Sequence, residues 1–228
     1  MSVKRIMKDL KIIKSLNLEN EGIYTYVNES DITKIYVLII GTDGTPYEHG
    51  YYFFEVQMPS DYPLSPPKVL FRSTDGKIRF NPNLYTNGRV CLSIINTWNG
   101  PGWVPTLTLD KVLITIQSMI LNDAPLRNEP GLEDSAPKEI NAYNEIIRWH
   151  NYEFTIMRIN DYLTKEYEYF IPIMNELFKK KYKMFMERFD KLKKLDSTEL
   201  VCKFFKMNAK PNYKMLKKLF TEKLKKMK

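Results

Sequence analysis

Apolar residues recur every three or four positions at the start of the chain, with lysines between them. Val3, Ile6, Leu10 and Ile13 follow this spacing, and Met7 lies beside them. This period matches one face of an α-helix. The pattern therefore predicts an amphipathic N-terminal helix.

After Gly22 the apolar residues form short runs that are rich in β-branched and aromatic side chains. Four such runs occur in order, namely IYTYV, KIYVLIIG, YYFFEVQM and KVLF. The connections between the later runs, GTDGTPYEHG and PSDYPLSPP, are rich in the Gly, Pro and Asp that turns favour. The pattern predicts a four-stranded antiparallel meander.

Residues 77–105 show neither a helical nor a strand period and are dense in Asn, Gly, Pro and Trp. A long irregular segment inside a folded domain is usually functional. The helical period returns in TLDKVLITIQSMIL, where Thr108 is a candidate N-cap, and again over residues 136–165. We expect a long functional loop followed by helices.

Beyond residue 170 the composition changes to Lys, Met, Phe and Leu, with two further stripes of helical spacing. We divide the chain into a core of residues 1–170 and a Lys-rich helical extension of residues 171–228 that packs on the core. Helices outside a separate antiparallel sheet define the α+β class.

The chain has 228 residues, of which 43% are hydrophobic and 27% are charged, as in ordinary folded proteins. The formal net charge is +8, with lysines concentrated after Lys179. Such a tail can bind nucleic acid or an anionic surface. We favour a solvated face of amphipathic helices, because the aromatic residues fall in the apolar stripes, and we expect neither nucleic-acid nor membrane partners.

The two cysteines lie far apart, at Cys91 and Cys202, without metal-ligand spacing. We expect no metal site and a reducing compartment, the cytoplasm with the nucleus as a second location. Cys202 lies between apolar neighbours and is expected in the core. Cys91 ends an irregular polar loop, FNPNLYTNGRVCLSI, and is either core or a nucleophile. We expect Cys91 to be the more exposed of the two and to react first with thiol reagents.

A Cys–His hydrolase is not supported, because the two histidines, His49 and His150, lie outside this loop. A cysteine without a base can still exchange acyl groups between sulfur atoms. The tetrahedral oxyanion then needs a donor, which the amide of Asn83 can supply. Asn83 can equally stabilise the loop through backbone hydrogen bonds, and the two roles are compatible.

These residues resemble the active-site region of the ubiquitin-conjugating enzymes. The match consists of Pro82, Asn83, Gly88, Cys91 and Leu92, and similar motifs precede and follow it in DGTPYEHGYYFFEVQMPSDYPLSPPKVLF and WVPTLTLDKVLITIQSMIL. The resemblance covers residues 1–165. It implies a UBC fold, with an N-terminal helix, a four-stranded antiparallel sheet, an active-site loop and further helices.

The resemblance also implies a reaction. Ubiquitin or a ubiquitin-like modifier passes from an activating enzyme to Cys91 as a thioester, and then to a protein substrate lysine or to the cysteine of a ligase. No cofactor is expected on this chain, since ATP is consumed by the activating enzyme. The alternative is a catalytically silent UBC-like adaptor that binds ubiquitin, although such modules usually lack the cysteine.

Partner-binding positions carry over from the same resemblance. Lys4 and Arg5 match residues that face the activating enzyme and ligases. Leu64 and Pro105 match two loops that RING-type ligases contact, and ordinary exposed loop packing is the alternative for both.

The chain departs from the family pattern at three places. Asn81 stands where most members have His, so we expect loop support to come from elsewhere. The segment NTWNGPGW, which includes Trp98 and ends at Trp103, is longer than usual, and we expect a flap beside Cys91 with Trp98 at least partly exposed. The acidic residue that aids lysine transfer in many members would fall near Arg127 or Asn128, so cysteine charging is better supported than direct lysine transfer.

Overall fold

A computed structural model describes residues 2–28 and 30–227. The α-helices are α1 (Ser2–Ser15), α2 (Leu109–Thr115), α3 (Pro137–His150), α4 (Ile171–Leu192) and α5 (Tyr213–Lys226). Two π-helical segments, Ile116–Ile120 and Asn151–Arg158, continue α2 and α3. The strands are β1 (Ile23–Val27), β2 (Lys34–Ile40), β3 (Tyr51–Gln57), β4 (Lys68–Phe71), β5 (Leu200–Cys202) and β6 (Met207–Ala209). Strands β1 to β4 form one antiparallel sheet in chain order, and β5 and β6 form a separate hairpin. The predicted α+β class and the four-stranded meander are confirmed.

The central strands are buried on both faces of the sheet. On one face, Tyr52 packs edge-on against Phe80 in the active-site segment, with ring centroids 5.8 Å apart. On the other face, the ring of Tyr167 lies 5.2 Å from those of Tyr36 and Phe53. Because both faces are covered, β2 and β3 carry continuous apolar runs instead of the alternation seen in half-exposed strands.

Helix α1 is held against the start of α2 by a buried carboxylate. Asp9 accepts hydrogen bonds from the Leu109 N–H at 3.1 Å and from Nε of Arg5 at 2.8 Å. Thr108 does occupy the N-cap position of α2, but its side chain makes no capping hydrogen bond. The acceptor that caps α2 therefore comes from a helix about one hundred residues earlier, which local sequence rules do not consider.

The C-terminal segment packs on the core through aromatic side chains. The ring of Tyr152, in the core, lies 6.0 Å from that of Phe185 and 5.1 Å from that of Phe189, both on α4. Within the segment, the rings of Phe178, Phe185 and Phe189 lie 4.8–5.3 Å from that of Phe220 on α5. These residues belong to the same buried cluster as the sheet. The expected helices are present, but the β5–β6 hairpin between them was not predicted, because strands of three residues carry no readable period.

Charge is divided unequally between the two parts of the chain. Residues 171–228 contain eighteen basic and six acidic side chains, a formal net charge of +12, whereas residues 1–170 carry −4. Exposed lysines of this segment lie on both α4 and α5. Within the described part of the chain, none of the helices combines the length and the apolar character needed to cross a bilayer.

Candidate active site

The segment between Asn81 and Cys91 folds back on itself through short β-bridges. The turn is closed by hydrogen bonds from the Gly88 N–H to the Tyr85 carbonyl and from the Tyr85 N–H to the Arg89 carbonyl, both at 2.9 Å. This turn brings two predicted site residues together, because the Cys91 N–H donates to the Asn83 carbonyl at 2.9 Å.

Gly88 is required by this turn for two reasons. Its φ of +90° lies in the region that L residues rarely adopt. A Cβ atom at this position would lie 2.9 Å from the carbonyl oxygen of Phe71. The close approach allows the Phe71 N–H to donate to the Gly88 carbonyl at 2.7 Å, which attaches the loop to the end of β4.

Asn83 makes the contact that its loop-stabilising role requires. Its Nδ2 donates to the carbonyl of Cys91 at 2.8 Å. An amide nitrogen carries two hydrogens, so one remains available for another acceptor. Within residues 2–28 and 30–227, the buried Oδ1 of Asn83 has no hydrogen-bond partner. Stabilisation of an oxyanion by Asn83 remains a prediction.

Asn81 itself supports the loop, which corrects the expectation that support would come from elsewhere. The side chain is fully buried. Its Nδ2 donates to the Ile120 carbonyl at 2.7 Å and to the Tyr47 hydroxyl at 3.2 Å, and its Oδ1 accepts from the Asn83 N–H at 2.8 Å. A primary amide satisfies donors and acceptors together, so Asn81 joins the loop to the π-helical segment Ile116–Ile120 that follows α2. Pro82, which follows it, is also buried.

Cys91 is buried, with 2% of its surface exposed, against 4% for Cys202. The expectation that Cys91 would be the more exposed cysteine is therefore wrong. Backbone hydrogen bonds hold the loop closed around it, and its neighbours Val90 and Leu92 are also buried. Burial raises the pKa of the Cys202 thiol, which lowers its thiolate fraction. Faster reaction of Cys91 remains a prediction.

The long segment after Cys91 carries the two tryptophans in different environments. Trp98 is 45% exposed, as expected, whereas Trp103 is buried. The backbone N–H of Trp103 donates to Oδ1 of Asn96 at 2.7 Å, and its indole N–H donates to the Pro63 carbonyl at 2.8 Å. Trp103 therefore joins the flap to the loop that carries Leu64.

The predicted partner-binding residues lie on one connected surface but differ in their availability. Leu64 is 70% exposed, and Pro105 and Lys4 are exposed as well. The side chain of Arg5 already makes hydrogen bonds within the chain. Its guanidinium donates to the Pro105 carbonyl at 2.7 Å and to the Leu107 carbonyl. Arg5 thus holds the Pro105 loop against α1, and contact of Arg5 with a partner remains a prediction.

Two asparagines lie in the region, near Arg127 or Asn128, where the family resemblance predicts the position of the acidic residue. Nδ2 of Asn128 donates to the Met119 carbonyl at 2.9 Å and lies 3.4 Å from Oδ1 of Asn81. Nδ2 of Asn122 donates to Oδ1 of Asn128 at 3.1 Å. Asp123 is exposed nearby. Sequence reasoning missed this amide network, because asparagine is also an ordinary loop residue.

One group of side chains could be arranged around a cation. Single ligand atoms of Asp43, Glu48 and His49 lie within 4.8 Å of one another. Arg188 on α4, however, pairs with Glu48 at 2.9 Å, and its positive charge disfavours a metal ion there. Burial lowers the pKa of His49 although carboxylates lie near both of its nitrogens. We assign the group to an ion-pair network that attaches α4 to the β2–β3 connection.

Comparisons with known proteins agree on the same class. The family model described as "Ubiquitin-conjugating enzyme" matches residues 5–150. Proteins named "Ubiquitin-conjugating enzyme E2 Z" from Homo sapiens and Danio rerio are each 46% identical over 129 residues, which cover 56% of this chain. The matches cover only 36% and 39% of the relatives' length. A solved Toxoplasma gondii ubiquitin conjugating enzyme E2 domain aligns with a TM-score of 0.52 and 28% identity, over 68% of this chain and 99% of that domain.

Proposed function

The chain belongs to the ubiquitin-conjugating enzyme family, and from this premise we propose that it carries ubiquitin or a ubiquitin-like modifier as a thioester on Cys91. The observation that supports the proposal is the closed turn in which Asn83 is bonded to the carbonyl of Cys91. This contact positions the one cysteine of the family motif beside an amide donor. Similarity to the proteins named ubiquitin-conjugating enzyme E2 Z supports the same class of enzyme.

The proposed reaction has two transfers. The Cys91 thiolate attacks the thioester carbonyl of the modifier on the activating enzyme, and the thiolate of that enzyme leaves. In the second transfer, a substrate amine or a ligase thiolate attacks the new thioester, and the Cys91 thiolate leaves. When the acceptor is an amine, it loses one proton. Both steps pass through a tetrahedral oxyanion that the free hydrogen of Asn83 Nδ2 can stabilise.

The buried thiol sets a requirement for the first transfer. Cys91 is 2% exposed, so the residues that cover it have to move before the sulfur can attack. Loop displacement on partner binding is common in regulatory complexes. We propose that the activating enzyme drives this displacement.

Proposed partners follow from the exposed surface beside α1. Leu64 and Pro105 lie on adjacent loops that a RING-type ligase can contact. Lys4 lies on α1 next to Arg5, which secures the Pro105 loop. A reduced Cys91 and an ATP-dependent activating enzyme are both needed, which supports a cytoplasmic and nuclear location.

Charging of Cys91 tests the proposal. Wild-type protein, Cys91→Ser and Cys202→Ser are each mixed with ATP and with ubiquitin or a ubiquitin-like modifier together with its activating enzyme, and run on a non-reducing gel. We expect a reductant-sensitive band one modifier heavier for wild type and Cys202→Ser, and only a reductant-resistant ester for Cys91→Ser. Absence of the labile band with every combination would contradict the proposal, and ubiquitin binding without charging would favour the adaptor.

Discharge is tested separately with the charged wild-type protein. We expect release of the modifier to a free cysteine thiol to be faster than release to free lysine, because the acidic residue that aids amine attack is replaced by amides. Equal rates at pH 7.5 would show that direct lysine transfer needs no such acid here.

A further inference from the structure

Arg79 holds the backbone immediately before the active-site asparagine. Its Nε donates to the Asn81 carbonyl at 3.2 Å, and one terminal nitrogen donates to the Pro82 carbonyl at 2.6 Å. Hydrogen bonds from a charged donor are stronger than neutral ones, and the planar guanidinium sets their direction. Arg79 therefore restrains the two peptide units that lead into Asn83.

The guanidinium of Arg79 itself contacts two aromatic rings. It lies 3.5 Å from the ring centroid of Tyr85, which belongs to the active-site turn. It also lies 5.4 Å from the ring centroid of Phe205, which belongs to the β5–β6 hairpin. Both distances fall within the range of favourable cation–π contact. The stack thus connects the C-terminal extension directly to the loop that carries Asn83 and Cys91.

The hairpin presents Phe205 in a defined position. Phe205 and Lys206 adopt positive φ angles of 57° and 52°, which form the tight turn between β5 and β6. The ring of Phe205 packs against that of Tyr143 on α3, with centroids 6.0 Å apart. The Tyr143 hydroxyl also donates to the carbonyl of Arg79 at 2.7 Å. Helix α3 therefore supports both Phe205 and the backbone of Arg79.

We propose that the β5–β6 hairpin of the extension is a positioning element of the active site. Phe205 holds Arg79, Arg79 holds the carbonyls of Asn81 and Pro82, and the loop then keeps Asn83 on Cys91. Arg79 and Phe205 are positioning residues, because neither touches the sulfur. The inference rests on the proposed thioester transfer for its catalytic consequence, whereas its structural part stands on the contacts alone.

Matched variants of the hairpin test the inference. Phe205→Ala removes the ring from Arg79, and Phe205→Tyr restores it. Phe204→Ala is the control, because the Phe204 ring lies 4.9 Å from Nζ of Lys203 and is not the ring that contacts Arg79. Arg79→Lys keeps the charge but loses the forked geometry. Melting temperatures establish that each variant is folded.

The first readout is single-turnover transfer from the charged enzyme to free cysteine. We expect Phe205→Ala and Arg79→Lys to slow the transfer about tenfold, since small misplacements of reacting groups reduce rates strongly. The concentration of charged activating enzyme needed for half-maximal charging should stay unchanged. Phe205→Tyr should recover at least half the wild-type rate, and Phe204→Ala should match wild type.

The second readout needs no enzymatic activity. Alkylation of Cys91 by N-ethylmaleimide, followed by peptide mass spectrometry, reports how often the loop opens. We expect Phe205→Ala to raise the Cys91 alkylation rate, with Phe205→Tyr and Phe204→Ala at the wild-type rate. If wild type forms no thioester, the proposed function fails and this readout alone decides the positioning role.

Three results would overturn the inference. The first is an alkylation rate for Phe205→Ala equal to that of wild type. The second is an equal effect of Phe204→Ala and Phe205→Ala, which would indicate a general loss of stability. The third is faster alkylation with unchanged transfer, which would show that the hairpin steadies the loop without serving the reaction.

Discussion

Replacement of Asn81 by alanine tests whether a single amide holds the active-site loop to the π-helical segment that follows α2. The substitution leaves the Ile120 carbonyl and the Asn83 N–H without their contacts at 2.7 and 2.8 Å. An unsatisfied buried backbone group costs about 1–3 kcal/mol. Entry of water into the space left by the amide offsets part of this, so we expect a loss of roughly 2–4 kcal/mol in the free energy of unfolding.

The measurement is urea unfolding of Asn81→Ala beside a matched control in the same loop. Asn87 is exposed and accepts one hydrogen bond, from the Arg89 N–H at 3.1 Å, so Asn87→Ala should cost less than about 0.5 kcal/mol. The melting temperature of Asn81→Ala should fall by about 4–16 °C, since 1 kcal/mol corresponds to roughly 2–4 °C for a chain of this size. Loss of stability equal to that of Asn87→Ala would show that the four contacts of Asn81 contribute nothing net.

Three further predictions concern the backbone, the partner surface and pH. Gly88→Ala should lower the free energy of unfolding more than its control, Gly44→Ala. Gly44 has a similar positive φ, but a Cβ atom there would meet no atom within 4 Å, so the control carries only about 1–2 kcal/mol of backbone strain. Equal urea midpoints of the two variants would exclude a steric contribution at Gly88. Arg5→Ala should lower the free energy of unfolding by about 2–3 kcal/mol, because it breaks internal charge-assisted hydrogen bonds. Lys4→Ala should instead slow charging with an unchanged melting temperature. Slower charging of Arg5→Ala at an unchanged melting temperature would place Arg5 in the partner interface. Burial lowers the pKa of His150 to about 4. Between this value and the unfolded value of about 6.5, the unfolded state binds a proton that the folded state does not. The free energy of unfolding should therefore fall as the pH falls from 6.5 to 4. A His150→Gln variant should lose less stability than wild type between pH 7 and pH 5 in thermal unfolding, and an identical loss would contradict the role of this residue.

Several elements were predictable because their signals are local. The three- and four-residue spacing of Ile6, Leu10 and Ile13 identified α1, and continuous apolar runs identified β2 and β3. Pro82, Asn83 and Cys91 identified the candidate site through their resemblance to the ubiquitin-conjugating enzyme motif, which is readable because all three lie in one short loop. Such features depend on neighbours within a few residues, which the chain order itself displays.

Other features depend on contacts between distant parts of the chain. The cap of α2 is Asp9, and one of the two aromatic partners of Arg79 is Phe205, more than one hundred residues later. The short strands β5 and β6 are stabilised by packing on α3, so their three residues carry no signal of their own. Nothing in the local pattern distinguishes Asp9 from any other acidic residue on an exposed helix.

The amino-acid order was therefore sufficient to identify the elements, the family resemblance and the candidate nucleophile. Tertiary packing decided how that nucleophile is presented, since it buried Cys91 and gave Asn81 its contacts with Tyr47 and Ile120. The physical reason is that periodicity and turn chemistry are properties of adjacent residues. Burial and hydrogen-bond satisfaction depend instead on which distant segments pack against a residue in the folded chain.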